Sequence, residues 1–99
     1  DLATGDRQEL SSCVTEPQEL WLHDQQAFVT GVDGTYRVEL SDGTCSPLST
    51  VDAGFGPLAL GQDGLVYEKT LDSLFVMSTS LNALLMIDVT TGDRVIVSK

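Results

Sequence analysis

Apolar residues fall along this chain in short Val-, Leu-, Ile- and Phe-rich runs, parted about every ten residues by clusters of Gly, Asp, Asn, Ser and Thr. Runs of that length and punctuation are the mark of strands, and nowhere does an apolar stripe at helical spacing persist long enough for a helix. The pattern predicts strands over residues 19–23, 27–32, 35–40, 44–49, 65–69, 74–80, 83–89 and 94–98. Turn chemistry joins them as hairpins. Asp33-Gly34 suits the positive-φ positions of a tight turn, and Gly43 in SDGT and Gly92 in TTGD stand where a slightly longer hairpin wants a left-handed residue. The expected fold is all-β, an antiparallel meander.

The strands repeat. DLATGDRQELSS opens the chain and DVTTGDRVIVSK closes it, and Gly5, Gly43 and Gly92 superpose, each followed at the same spacing by Ser11, Ser49 or Ser98. The match runs backward from there: Leu20-Trp21-Leu22 lies on Leu65-Val66-Tyr67, and Ala27-Phe28-Val29 on Leu74-Phe75-Val76. Each full repeat holds four strands, a to d, joined by tight hairpins and followed by a longer d-to-a connection. A repeated four-stranded meander is the blade of a β-propeller. Residues 1–12 then form a lone outer strand of a preceding blade, 17–49 one complete blade and 62–99 a second. Two blades and a lone strand cannot close a ring of roughly four to eight, so the chain is expected to be a piece of a larger propeller or one of several copies that complete a ring.

The stretch GPLALGQDGLVYEKTLDSLFVMSTSLNALLMIDVTTGDRVIVSK resembles the repeat of bacterial six-bladed propellers of the TolB/NHL-like kind. The likeness covers the second blade and DLATGDR; the middle blade departs from it, with Asp33-Gly34 in place of an Asn and SDGT in place of TTGD. It implies a propeller that binds or scaffolds other molecules. At the level of fold alone such propellers also resemble calcium-dependent gluconolactonases and regucalcin-like enzymes, so a Ca²⁺-dependent lactonase or hydrolase is the rival expectation, reached by analogy and not by a motif.

Composition narrows the partners. The chain has 99 residues, 15 acidic against 5 basic, for a formal charge of -10 and no Lys/Arg cluster, which disfavours nucleic acid and anionic membranes. Its longest apolar run, Ala83 to Ile87, is far too short to cross a bilayer, and no signal-peptide pattern opens the chain. Cys13 and Cys45 lack the spacing of a zinc or redox site and are either a disulfide or two free thiols. A bridge would constrain the unfolded chain by roughly 3 to 4 kcal/mol. With the acidic balance it points to a periplasmic, cell-envelope or secreted setting.

Blade topology puts the d–a and b–c connections at one end of each sheet, the channel face where propellers meet ligands. That face carries Glu16, Asp33, Asp52, Ser80 and Asn82. Carboxylate and amide oxygens suit Ca²⁺, with Asp33 and Asn82 as the candidate ligands, although both residue types also serve as plain turn formers. Phe55, in the Gly-rich AGFGP, either plugs against a neighbouring blade or meets a ligand; the expected ligand is a protein, peptide or glycan. The Thr-Gly-Asp-Arg turn falls at the opposite end and reads as structural: Gly92 for positive φ, Asp88 or Thr90 to bond turn amides, Arg94 to pair with a carboxylate of the adjacent strand. His23, with no Ser, Cys or second His in a nucleophile motif, reads as packed or on the surface, and the strand aromatics as packing between blades. No catalytic residue is identified, and no cofactor beyond a possible Ca²⁺.

Overall fold

The computed structural model describes residues 13–14, 16–57 and 62–98, so the strand expected within residues 1–12 lies outside the described residues. It holds eight strands: β1 Glu19–His23, β2 Gln26–Gly31, β3 Gly34–Glu39, β4 Cys45–Ser49, β5 Gln62–Glu68, β6 Ser73–Ser78, β7 Ala83–Asp88 and β8 Arg94–Ser98. They form two four-stranded antiparallel sheets in the orders β1-β2-β3-β4 and β5-β6-β7-β8. The described residues include no helix, and hence none long and apolar enough to cross a membrane.

Strand bounds fall within a few residues of the expected ones, and the largest difference has a local cause. β5 starts at Gln62 and not Leu65, because a bulge between Asp63 and Leu65, with Gly64 at φ 77°, lets a polar segment join the ladder ahead of the apolar pattern. The turns hold a second correction. Of Asp33-Gly34 only Gly34 has positive φ, and the non-glycine residues that enter the left-handed region among the hairpins are Asp24, Asp72 and Asn82. Gly43 and Gly92 take φ 76° and 79°, the conformation their hairpins require.

The sheets pack face to face, and cross-strand partners show which faces meet. In the first sheet Trp21, Phe28 and Arg37 share a face. In the second, Leu65, Val76 and Leu85 form one cross-strand row, and Tyr67, Leu74 and Ile87 another. Phe28 and Leu48 from the first sheet join Leu65, Leu74, Val76, Ala83, Leu85, Ile87 and Val89 in one buried core. Phe28, fully buried, stacks on Tyr67 with ring centroids 5.9 Å apart. Arg37 lies over the Phe28 ring, and its Nη2 donates to the Val89 carbonyl at 2.5 Å, tying the third strand of one sheet to the turn after the third strand of the next. Cys13 and Cys45 are joined by a disulfide across 32 residues of sequence, anchoring the segment before β1 to the start of β4.

Candidate functional site

The best-built surface feature is the segment that leaves β4. Thr50 and Ala53 exchange backbone hydrogen bonds, Thr50 N to Ala53 O at 3.0 Å and Ala53 N to Thr50 O at 3.3 Å, and the Thr50 hydroxyl accepts from Asp52 N. This pins a tight turn with Val51 and Asp52 at its tip, and Val51 is 74% exposed. Phe55 follows. Its amide donates to Asp93 Oδ1 at 2.9 Å and its carbonyl accepts from Arg94 N at 2.6 Å, so both of its backbone groups are held by the second sheet while its side chain stands 81% exposed.

Arg94 fixes the rest of the segment. Its guanidinium is buried, 6% of the residue being exposed, and every nitrogen is used. Nη1 donates to Ser49 Oγ at 2.7 Å, Ala53 O at 3.1 Å and Thr50 O at 3.2 Å; Nη2 donates to Gly56 O at 3.0 Å and Nε to Pro57 O at 2.9 Å. Ser49 passes the chain on by donating from Oγ to the Gly92 carbonyl at 2.8 Å. Burial lowers the Arg94 pKa and the neighbouring Asp93 carboxylate opposes that effect; an arginine stays cationic under either influence. The turn that carries Arg94 is itself bonded. Asp88 Oδ1 accepts from Thr90 N and Thr91 N, and Thr91 Oγ1 accepts from Asp93 N.

Two readings of this turn need correction. Arg94 pairs with carbonyls and a hydroxyl of the preceding connection, not with a carboxylate of the adjacent strand. The Thr-Gly-Asp-Arg turn is also not remote from the ligand-facing connections: it holds the very segment that bears Asp52 and Phe55. The alternation of turns along one sheet says nothing of how the following sheet is set against it, so the contact could not be read from connectivity.

The other candidates occupy separate places. Asp33, in the β2–β3 turn, accepts at Oδ2 from the Tyr36 hydroxyl at 2.9 Å; partial burial first, then that bond, raise the Tyr36 pKa. Asn82 is exposed in the β6–β7 turn with φ 51°, and Ser80 in the same turn lies 3.1 Å, Oγ to Oγ, from Ser78. Glu16 is exposed before β1. The four ligand candidates Asp33, Asp52, Phe55 and Asn82 therefore lie in three different connections, only Asp52 and Phe55 sharing one. Among the described residues no three His, Cys, Asp or Glu gather in a group that could hold a metal ion.

One cluster escaped the sequence reading. β1 and β5 lie against each other, bringing the His23 and Tyr67 rings to a centroid distance of 4.2 Å at an angle of 31°. His23 Nε2 is 3.4 Å from Asp24 Oδ2, and the Tyr67 hydroxyl donates to Asp72 Oδ1 at 2.7 Å. Each residue is plain in the sequence; what brings the two strands together is not. The bond to Asp72, then partial burial and the Asp72, Asp24 and Glu68 charges, raise the Tyr67 pKa. A raised phenol pKa adds stability that is fully present below the unfolded value of about 10 and is lost as pH climbs through the folded value. We expect Asp72→Asn to bring the Tyr67 titration down toward that of a free phenol in the 295 nm absorbance difference from wild type. An unchanged curve would show that the Asp72 contact does not govern it.

The chain matches no protein-family model, no curated protein and no solved structure.

Proposed function

We propose that this chain is a segment of a six-bladed β-propeller, as the resemblance above implies, acting as a non-catalytic binding and scaffolding module. Two meanders of the same strand order, built from a repeated sequence and packed face on face, support the propeller reading. The observation that carries the binding reading is Phe55. An aromatic ring 81% exposed, on a backbone held at both its amide and its carbonyl, meets a partner with little ordering left to do. Val51, 74% exposed in the same connection, adds a second exposed apolar side chain, and Asp52 supplies an acceptor. A peptide, a protein surface or a glycan stacked on the ring fits this arrangement. The Cys13–Cys45 disulfide supports an oxidising compartment, periplasmic, envelope or secreted.

The test is a screen of peptide and glycan arrays with the whole chain, followed by Phe55→Ser. The variant should bind its best ligand at least about tenfold more weakly while its stability moves by no more than about 0.5 kcal/mol, since the lost ring touches little of the protein. Full retention of affinity would remove Phe55 from the site. Thermal melts with and without Ca²⁺ address the rival enzyme: a calcium-dependent rise in melting temperature, lost in Asp33→Ala or Asn82→Ala, would replace the module with a metal-dependent propeller.

A further inference from the structure

The two sheets hold the chain that precedes them from the same position by different chemistry. Arg94 is the first residue of β8 and stands opposite Ile87, which stands opposite Leu74. Cys45 is the first residue of β4 and stands opposite Val38, which stands opposite Ala27. Ala27 is the repeat partner of Leu74, and Gly43 that of Gly92, so Cys45 and Arg94 occupy one position in both sequence and register. Each reaches back to the connection ahead of its own sheet. Arg94 donates there to Ser49 Oγ, Thr50 O and Ala53 O. Cys45 is bonded there to Cys13, which follows Ser11 at the spacing that separates Val51 from Ser49. Arginine fills the position in both TGDR phrases, as Arg7 and Arg94, and the middle repeat has cysteine in its place.

The two clamps differ in what can undo them. A guanidinium keeps its charge and its N–H donors whatever the redox conditions, whereas a disulfide opens to a thiol. Cys13 is exposed and Cys45 half-buried, so a nucleophile approaches at Cys13. Once the bond is open, position 45 has only a short side chain with one weak donor, which cannot span the acceptors that Arg94 reaches in the second sheet.

We infer that Cys13–Cys45 is a site of thiol–disulfide exchange with a dithiol reductant, and that it makes the first of two equivalent clamps reversible while the Arg94 clamp stays closed. One thiolate of the dithiol attacks Cys13 Sγ; the bond to Cys45 breaks and Cys45 leaves as the thiolate. The second thiol of the reductant then displaces Cys13, and the reductant departs as a cyclic disulfide. Two electrons pass from the dithiol to the protein, and two protons end on the Cys13 and Cys45 thiols. The inference goes beyond the binding reading and does not depend on the Phe55 site.

The experiment is amide hydrogen exchange of the whole chain with and without dithiothreitol. Gln18 N, which donates to Thr30 O at 2.8 Å, reports on the first connection, and Phe55 N, which donates to Asp93 Oδ1 at 2.9 Å, reports on the second. Reduction should raise the Gln18 rate relative to the Phe55 rate at least about tenfold, whereas a crosslink that only stabilised the whole fold would move both together. Cys13→Ser/Cys45→Ser should show the reduced ratio in either condition. Cys13→Val/Cys45→Arg, which copies Val51 and Arg94, should bring the ratio back toward the oxidised value and leave it indifferent to dithiothreitol. Cys13→Val/Cys45→Lys serves if the arginine variant does not fold, as judged by melting. A native chain whose disulfide resists dithiothreitol overturns the proposal, as does one that yields both thiols with the ratio unmoved. A folded arginine or lysine variant no better held than the double serine variant overturns the equivalence of the two clamps.

Discussion

Gly92→Val will destabilise the protein by about 4 kcal/mol or more, placing it among the severe single substitutions. Two effects add at this one residue. Its φ of 79° lies in the left-handed region, which a β-branched side chain enters only at a cost of about 1 to 3 kcal/mol. The second effect is space. A Cβ at Gly92 would lie 1.8 Å from the Leu48 carbonyl oxygen and 3.0 Å from its carbon, both backbone atoms of the first sheet's outermost strand. Neither can yield without moving β4 away from the β7–β8 turn, and that motion would break the Ser49 Oγ bond to the Gly92 carbonyl as well. Gly64 is the control. It has nearly the same φ, 77°, but a Cβ there meets nothing within 4 Å, so Gly64→Ala should lose only about 1 kcal/mol, the backbone part. Urea unfolding of both variants separates strain from collision. A Gly92 variant no worse than the Gly64 variant would show that the approach of the two sheets at this point is not obligatory.

The contrast between those two glycines shows what could be read before any coordinates. Short apolar runs such as those within Ser73–Ser78 and Ala83–Asp88, and the glycines of the turns around them, announce strands and hairpins because the cause is local. Register is less local: the bulge at Gly64 moves the start of β5 back to Gln62, although Gln62 and Asp63 are polar and carry no strand pattern. The meeting of the sheets is not local at all. That Gly92 needs to be glycine for its φ follows from the hairpin; that it also abuts Leu48, far away in sequence, follows from how one sheet lies on the next. The same holds for the candidate site. Phe55 is visible in the sequence as an aromatic between glycines, but its support from Asp93 is not, because a carboxylate in a turn looks like every other turn carboxylate. The acceptors of Arg94 are main-chain carbonyls, which carry no sequence signature, and this is why a carboxylate partner was the natural expectation. The Cys13–Cys45 pairing lies between: spacing removes metal and redox sites but leaves both a bridge and two free thiols open.

Arg94→Met is expected to lower stability by about 3 kcal/mol or more and, separately, to loosen the segment that presents Phe55. Methionine fills much of the same volume, so packing is largely kept and the missing term is polar. Without the guanidinium, the carbonyls of Thr50, Ala53, Gly56 and Pro57 lose its N–H donors inside a partly buried turn, and Ser49 Oγ loses the donor that helps orient it toward Gly92. Arg94→Lys should restore only part of the loss, because one ammonium offers three donors from a single point and cannot span acceptors spread from Ser49 to Pro57. Hydrogen exchange resolves the local effect. The Phe55 amide, bonded to Asp93, should exchange faster in Arg94→Met by more than the global loss of stability explains, and ligand affinity should fall although Arg94 is buried beneath the site. Phe55→Ser gives the reverse pattern, with binding lost and stability kept. An Arg94→Met protein within about 1 kcal/mol of the wild type, with Phe55 protection unchanged, would mean that the turn holds itself and that the ring's presentation owes nothing to the second sheet's arginine.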